Sequence, residues 1–443
     1  MEFVKGITPK DTVEMSQLLE EGWEGRPAKV EGTIHTVRDM GDVAFVVLRR
    51  RDGLLQCVVE KNSSEIDVKS LREESAVVVE GQVRSEKRAP QGIELLAEGI
   101  RVLSTPEEPV PLAVSKWKMN TSLEARLDKR PVALRNIRER AKFKIQEGLV
   151  RGFRDFLYEQ GFTEIHTPKI SAKGAEGGSN MFRMDYFHRP AVLAQSPQFY
   201  KQMMVGVFGR VFETGPVFRA EKHNTKRHLN EYTSLDFEMG FIEGFEEIMA
   251  METGFLQYTM SLLREKYEKE LKITGAVLPV TDKIPAVRFD EAKEMVQKKY
   301  DRRMKNPFDL EPEEEVLISR LFKEEYGADF VFVTHYPSKK RPFYAMDDPA
   351  DPRYTLSFDL LFRGMEITTG GQRIHDYRAL TDKIKARGMS EEGMEQYLDT
   401  FKYGMPPHGG LGIGLERLTM KLLDEDNVRE TTLFPRDLGR LEP

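Results

Sequence analysis

The chain has 443 residues, 40% hydrophobic and 32% charged, with a formal net charge of -6 and one cysteine, Cys57. That length exceeds one ordinary core and points to two or three domains, while no apolar run is long enough for a membrane helix. The lone cysteine excludes internal disulfides and a cysteine-based zinc site; the opening MEFVKGITPKDTVEM lacks an apolar core and cleavage site, so the expected compartment is the cytoplasm.

From Ala28 to Leu103 five β-patterned runs follow one another: AKVEGTIHTV, DVAFVVLRR, LLQCVVE, SAVVVEGQVR and GIELLAEGIRVL. Asp52-Gly53 separates the second and third as a hairpin turn would, and a polar stretch from Ile66 to Glu74 predicts a helix before the fourth. Five strands with a helix after the third is the order of an OB-fold barrel, assigned to residues 1–104, and Cys57 in LLQCVV reads as core filler. The proline-rich TPEEPVPLAVSKW opens a linker over 105–134.

Beyond Arg135 the texture changes. Ala141, Ile145, Leu149, Phe153, Phe156 and Leu157 form a helical stripe over 137–160 that stops at Gln160-Gly161. Helical stretches over 246–271 and 290–326 follow, and the last hundred residues return to strands and glycine-rich turns. The expectation for 135–443 is an α+β domain on an antiparallel sheet with flanking helices. Neither a GxxxxGK[ST] phosphate loop, nor GxGxxG, nor HExxH occurs, so any nucleotide must be held by another device.

Three segments carry candidate chemistry. In VFRAEKHNTKRHLNEYTSLDFEMGF (217–241) Leu235, Phe237, Met239 and Phe241 alternate with Ser234, Asp236 and Glu238, predicting strand, basic loop and strand. One face is buried, and the other presents Arg219, Glu221, Asp236 and Glu238; a salt-bridged sheet surface is the plain alternative. In YTLSFDLLFRGMEITTGGQRIHDY (354–377) Arg363-Gly364 reads as a turn, and hairpin parity puts Asp359 and Glu366 on one face. Spacing fits either a divalent cation or a structural pair neutralised by an arginine, with Arg363 the candidate. In GMPPHGGLGIGLERLTMKLL (404–423) glycines 409, 410, 412 and 414 allow close approach of a flat ligand, and Arg417 sits against the dipole of a predicted helix.

FRAE with its loop and return strand, GLGIGLER, and GFTEIHTP at 161–168 resemble the three signature motifs of class II aminoacyl-tRNA synthetases; an OB-fold ahead of the catalytic domain resembles the class IIb plan of the aspartate, asparagine and lysine enzymes. The short connection between the second and third motifs resembles the archaeal type. The resemblance implies that Arg219 binds the α-phosphate of ATP and that Glu221, Arg227, His228 and Leu229 hold the adenosine, with Gly414 at the nucleotide. It implies that Arg417 covers the γ-phosphate and packs on adenine, that Asp359 and Glu366 bind Mg2+ with Thr369 close by, and that Pro168 lies at a homodimer interface.

AQSPQFYKQ (194–202) and GGQRIH (370–375) resemble the aspartate branch. A side-chain carboxylate needs cations, and Lys201 with Arg373 supply two, whereas a site for asparagine would leave them without a counter-ion. Glu176 and Gln198 resemble residues that hold the substrate ammonium. The implied reaction joins L-aspartate to tRNA through an aspartyl-adenylate. Phe45 and Gln56 match residues that stack on and hydrogen-bond an anticodon base, while His35 and Pro90 stand where strict members carry tryptophan and lysine. That departure implies charging of both tRNA-Asp and tRNA-Asn, with an amidotransferase downstream. An asparaginyl enzyme, a tRNA-independent aspartate-adenylating paralogue and a catalytically dead RNA-binding module are the rival readings.

Overall fold

The computed structural model describes residues 6–62, 65–172, 174, 180–222, 225–303 and 305–442. The chain divides into two compact units, Met1–Thr121 and Ser122–Pro443.

The first unit is a closed five-stranded barrel of β1 (Pro27–Asp39), β2 (Val43–Arg49), β3 (Leu54–Glu60), β4 (Ala76–Ser85) and β5 (Ile93–Ser104), in the order β1-β2-β3-β5-β4. All pairs are antiparallel except β3 with β5, which is the OB-fold arrangement. β-Branched residues at every second position (Val30, Val46, Val59, Val77, Val79) fill the interior with Leu48 and Cys57. Burial pushes the Cys57 thiol up to about 12, so it is inert core filler. The helix expected over Ile66 to Glu74 is a single 3₁₀ turn, Val68–Ser70, with Asp67 accepting the Lys69 N–H. Asp52 accepts the Met15 N–H at 2.7 Å, starting the short helix Met15–Leu18.

The second unit is built on an eight-stranded sheet. Among its elements are α1 (Ile137–Glu159), β6 (Thr163–Glu164), β7 (Ile170–Ser171), β8 (Arg183–Tyr186), β9 (Arg189–Leu193), α2 (Gln198–Phe208), β10 (Arg210–Phe218), β11 (Glu231–Gly240) and α3 (Glu246–Lys266). There follow β12 (Ala286–Arg288), α4 (Pro312–Tyr326), β13 (Phe330–Thr334), β14 (Ser357–Phe362), β15 (Met365–Gln372), α5 (Glu395–Lys402), β16 (His408–Gly414) and α6 (Leu415–Leu422). The large sheet runs β12-β13-β14-β15-β16-β11-β10-β6, antiparallel except at its two edges; β7, β9 and β8 form a small separate sheet.

α1 starts where the Asn136 side chain accepts the Arg138 and Glu139 N–H groups and ends before Gly161, whose φ of 75° no longer fits a helix. Ile145, Leu149, Phe153 and Leu157 of α1 and Phe255, Leu256, Met260 and Leu263 of α3 bury one face of the sheet (Phe212, Leu235, Phe237, Phe358, Leu360, Ile413). The other face is partly covered: Ile318, Leu321 and Phe322 of α4 pack on Val331, Val333 and Leu361, and Val205 of α2 packs with Val211. Residues 122–134 of the segment read as a linker belong to the second unit, where Arg130 is fully buried and donates to the carbonyls of Thr432 and Leu433 at 2.7 and 2.9 Å. Among the described residues no helix is long and apolar enough to cross a membrane.

Candidate functional site

On this second, partly covered face of the large sheet lies a cavity of about 510 Å³. Gln198, Lys201, Arg219, Glu221, Arg227, His228, Leu229, Asp359, Glu366, Thr369, Arg373, Gly414 and Arg417 all line it. Residues scattered over more than two hundred positions of sequence therefore share one concavity. Glu176 lies outside the described residues.

One end is lined by buried ion pairs. Lys201, on α2, places Nζ 2.9 Å from Asp236 Oδ1, 2.9 Å from the Leu411 carbonyl and 3.4 Å from Glu238 Oε2. Arg373 donates Nε to Glu238 Oε1 at 2.9 Å and NH2 to the Gly410 carbonyl at 2.9 Å. The two cations thus meet at Glu238, which is fully buried; burial works to raise its pKa, but Arg373 and Lys201 bring it below the usual carboxylate value. Glycine is required at 410, because a Cβ there would lie 2.1 Å from the Phe237 carbonyl and 2.2 Å from Glu238 Oε2.

Gln198 is backed by groups that sequence reasoning missed. Its Nε2 donates to Gln202 Oε1 at 3.0 Å, the Tyr397 hydroxyl of α5 donates to the same oxygen at 3.1 Å, and Gln202 Nε2 lies 2.9 Å from His408 Nε2. His408 Nδ1 faces the Pro406 carbonyl at 2.9 Å, which can only accept, so Nδ1 carries the proton and Nε2 accepts from Gln202. Burial holds His408 down to about 4, keeping it neutral. Gln202 was legible as the helical i+4 neighbour of Gln198; Tyr397 had no such signal.

The other end is polar and charged. Arg219 and Glu221 lie past the end of β10, not within the strand as the alternation suggested. Asn230 holds them, exchanging backbone and side-chain bonds: Arg219 N–H to the Asn230 carbonyl at 2.8 Å, and Asn230 Nδ2 to the Arg219 and Glu221 carbonyls at 2.7 and 3.1 Å. The return strand buries Leu235, Phe237 and Met239 as expected, but Phe241 breaks the alternation: it follows the strand end with φ of 60° and is 78% exposed.

Asp359 and Glu366 do share a face, and a bulge decides what joins them. The Arg363-Gly364 turn pairs Leu361 with Glu366, but Leu360 pairs with Thr368 and Asp359 with Thr369, so Ile367 is an extra residue. Ile367 goes to the helix-side core and Thr368 donates to Glu252 of α3 at 2.6 Å. The inserted residue turns Thr369 to the face of Glu366, whose Oε1 accepts the Thr369 hydroxyl at 3.0 Å. Without the bulge, two residues three apart on a strand face opposite ways.

The arginine that pairs with Asp359 is Arg341, not Arg363, and Glu366 is offset chiefly by Arg417. Arg363, at a positive φ in the turn, points away, to Asp329 at 3.3 Å and the Val277 carbonyl at 2.9 Å. Arg341 NH2 lies 2.8 Å from Asp359 Oδ1. Burial and the neighbouring Glu366 push Asp359 upward while Arg341 opposes them. Arg417 donates NH1 to the Glu366 carbonyl at 3.2 Å and Nε to the Arg227 carbonyl at 3.3 Å; Arg227 reaches Glu315 of α4 at 2.6 Å. Glu315 also accepts the Glu366 N–H at 2.9 Å, and burial pushes it up to about 7 against the pull of Arg227. His228 Nδ1 lies 2.6 Å from the Thr225 hydroxyl, and Leu229 packs with Met365 and Met420. A Cβ on Gly414 would meet only Arg417, at 3.8 Å.

In the barrel, Phe45 is not core. Ala44, Val46 and Leu48 point inward, so Phe45 points outward, half-buried, with the Arg38 guanidinium 5.6 Å from its ring centroid. Arg38 NH2 is also 3.5 Å from Gln56 Oε1, and Gln56 Nε2 donates to Glu94 at 2.8 Å. Phe45, Arg38 and Gln56 thus form one outer patch. His35 is the extra residue of a bulge in β1 and is 5% exposed, whereas half-buried Pro90 begins the turn Pro90–Gly92 between β4 and β5.

Two family models match: tRNA synthetases class II (D, K and N) over residues 122–438 and the OB-fold nucleic acid binding domain over 28–103. An aspartate–tRNA(Asp/Asn) ligase of Deinococcus radiodurans is 49% identical, covering 95% of this chain and 96% of that protein. An aspartate–tRNA(Asp) ligase of Pyrococcus abyssi is 42% identical, covering 97% and 98%. Among solved structures, the Pyrococcus horikoshii asparaginyl-tRNA synthetase complexed with asparaginyl-adenylate matches with a TM-score of 0.90 at 32% identity over 98% of this chain and 99% of that one. The aspartyl tRNA synthetase of Entamoeba histolytica gives 0.86 at 31% identity over 98% and 93%. With residues 122–438 matched by that family model and relatives covering 95% or more of its length, the chain belongs to the class II tRNA synthetases of the aspartate, lysine and asparagine group.

Proposed function

We propose that the chain is an aspartate–tRNA ligase that activates L-aspartate with ATP and charges both tRNA-Asp and tRNA-Asn. The observation that carries the amino-acid assignment is the meeting of Lys201 and Arg373 at Glu238, in the same cavity as Arg219 and Arg417. Asp236 and Glu238 already give both cations counter-ions, contrary to the expectation that only an acidic substrate would do so; the preference rests on a substrate carboxylate being a charge-assisted partner where an amide offers only a neutral oxygen. The asparaginyl enzyme's high TM-score does not weigh against this, since these branches share a fold and differ in side chains.

The aspartate α-carboxylate oxygen forms a bond to the α-phosphorus of ATP as the bond to pyrophosphate breaks. Arg219 offsets the charge developing on the α-phosphate, Arg417 covers the γ-phosphate, and Glu221, Arg227, His228, Leu229 and Gly414 hold the adenosine. Gln198 and Glu176 orient the ammonium group. The terminal ribose hydroxyl of tRNA then attacks the mixed anhydride, releasing AMP. Asp359 and Glu366, two carboxylates on one face with the Thr369 hydroxyl on Glu366, would hold Mg2+ as a hard oxygen-ligand site. That ion, when bound, supplies charge neutralisation on the phosphates.

Phe45 and Gln56 serve the anticodon, stacking and hydrogen-bonding in turn. Dual tRNA use is supported by His35 and Pro90 and by the Asp/Asn name of the 49% identical relative. Exposed Pro168, with Ile170, Met184, Tyr186 and Phe187 exposed on the neighbouring small sheet, supports a homodimer. The reading places the enzyme in the cytoplasm, with an amidotransferase converting Asp-tRNA-Asn. Purified tRNA-Asp and tRNA-Asn incubated with labelled aspartate and ATP test it: both are charged. Charging of tRNA-Asp alone removes the dual specificity, and charging with asparagine instead removes the aspartate assignment.

A further inference from the structure

The basic run Ser338-Lys339-Lys340-Arg341 lies between β13 and β14, outside all three signature motifs. Lys340 is paired with Asp309 at 2.7 Å and is half exposed, as a surface lysine commonly is. Arg341 is different. It is 8% exposed, its guanidinium carbon lies 3.9 Å from the ring centroid of fully buried Tyr336, and NH2 donates to Asp359 Oδ1 at 2.8 Å. Stacking on the ring fixes the plane of the fork, and the ion pair fixes its rotation about that plane.

A guanidinium carries five N–H donors, and Asp359 takes NH2. Nε is buried without a hydrogen-bond partner among the described residues. A cation held this deep, with donors left over, is costly to a fold that needs it only as a counter-ion. Arg341 also lines the cavity shared by Arg219, Glu366 and Arg417. Groups of both signs thus surround the place where a polyphosphate with its cation would sit.

We propose that Arg341 is a polyphosphate-binding residue of the ATP site, holding Asp359 through one N–H and donating to the phosphates beyond the α-position through others. This deepens the ATP-dependent reading above and rests on it. No bond is made or broken by Arg341; it binds the part of ATP that leaves as pyrophosphate. Its contribution is therefore confined to ligands that carry that part.

Equilibrium binding separates this role from a structural one. A non-hydrolysable ATP analogue and a sulfamoyl analogue of aspartyl-adenylate, which lacks the distal phosphates, are titrated by calorimetry into wild type, Arg341→Ala, Arg341→Gln and Arg341→Lys. The expected result is that Ala and Gln weaken the ATP analogue on the order of tenfold or more, the factor one charge-assisted hydrogen bond carries. Affinity for the adenylate analogue stays within about twofold, and Lys retains part of the ATP affinity because it keeps a cation without the fork. Equal weakening of both ligands, or of neither, overturns the proposal. Should the Ala variant not fold, the Gln and Lys contrast decides alone. A wild type that binds neither ligand sinks the function proposed above, whereas a wild type that binds both beside unaffected variants sinks only the role of Arg341.

Discussion

Glu252 shows how a single side chain beneath the site couples stability to pH. It sits on α3 with no exposed surface; Oε1 accepts the Thr368 hydroxyl at 2.6 Å, and Oε2 has no partner among the described residues. Burial, with Asp359 adding, pushes its pKa up to about 8 from an ordinary value near 4.5. A raised carboxylate binds its proton more tightly in the folded than in the unfolded chain, so stability falls as pH climbs from about 4.5 to about 8. Gln keeps the shape and the Thr368 acceptor but never ionises. Glu252→Gln should therefore match wild type near pH 5 and exceed it above pH 8 by on the order of 2 kcal/mol, a few degrees of Tm. Thermal unfolding across that range checks it; parallel profiles for the two proteins would remove Glu252 as the source. Nothing in the sequence singles out this glutamate from the other acids of α3, because only the tertiary fold decides which side of a helix meets Thr368.

At the scale of elements, the three strands that bear the chemistry were legible from alternation and glycine content, and their failures have local causes. Parity put Asp359 and Glu366 on one face, but not Thr369, since an inserted residue leaves no compositional mark in EITT; the bulge follows from packing, with Ile367 and Thr368 both drawn to the helix side. The expected helix after β3 shrank to one turn because few apolar residues were available to bury it. Arg341 was unreadable for a related reason: its partner Asp359 is eighteen residues away across an irregular loop with no period to follow. Among the glycines of β16 the sequence treated four alike, and the backbone separates them. Gly410→Ala drives a Cβ into the Phe237 carbonyl and Glu238, so it should cost about 3 kcal/mol or prevent folding. Gly414→Ala meets nothing closer than Arg417 at 3.8 Å, so it should leave Tm almost unchanged while raising the KM for ATP where the cavity narrows. Denaturant melts and ATP-dependent pyrophosphate exchange on both variants distinguish them; equal stability losses would contradict the assignment of close approach to Gly410.

For the whole molecule, the division into two units divides the proposed work. The barrel core and the sheet core are separate clusters, each closed by its own residues. Phe45 and Gln56 lie on the outer face of the barrel, where Phe45 contributes nothing to the interior valine cluster. Removing the ring in Phe45→Ala should leave the barrel folded, since an outward side chain is lost instead of a core one. Adenylate formation needs aspartate and ATP but no tRNA, so pyrophosphate exchange in Phe45→Ala should equal wild type. Aminoacylation needs the anticodon held, and losing one base-stacking platform should raise the KM for tRNA by roughly tenfold, the effect of about 1–3 kcal/mol per stacked base. Gln56→Ala should act on the same parameter by a different route: it removes a hydrogen-bonding amide but leaves the ring, so discrimination at the recognised base should relax more than affinity falls. If exchange and charging instead fall together in Phe45→Ala, the aromatic is supporting the fold, and the division of labour between barrel and sheet fails with it.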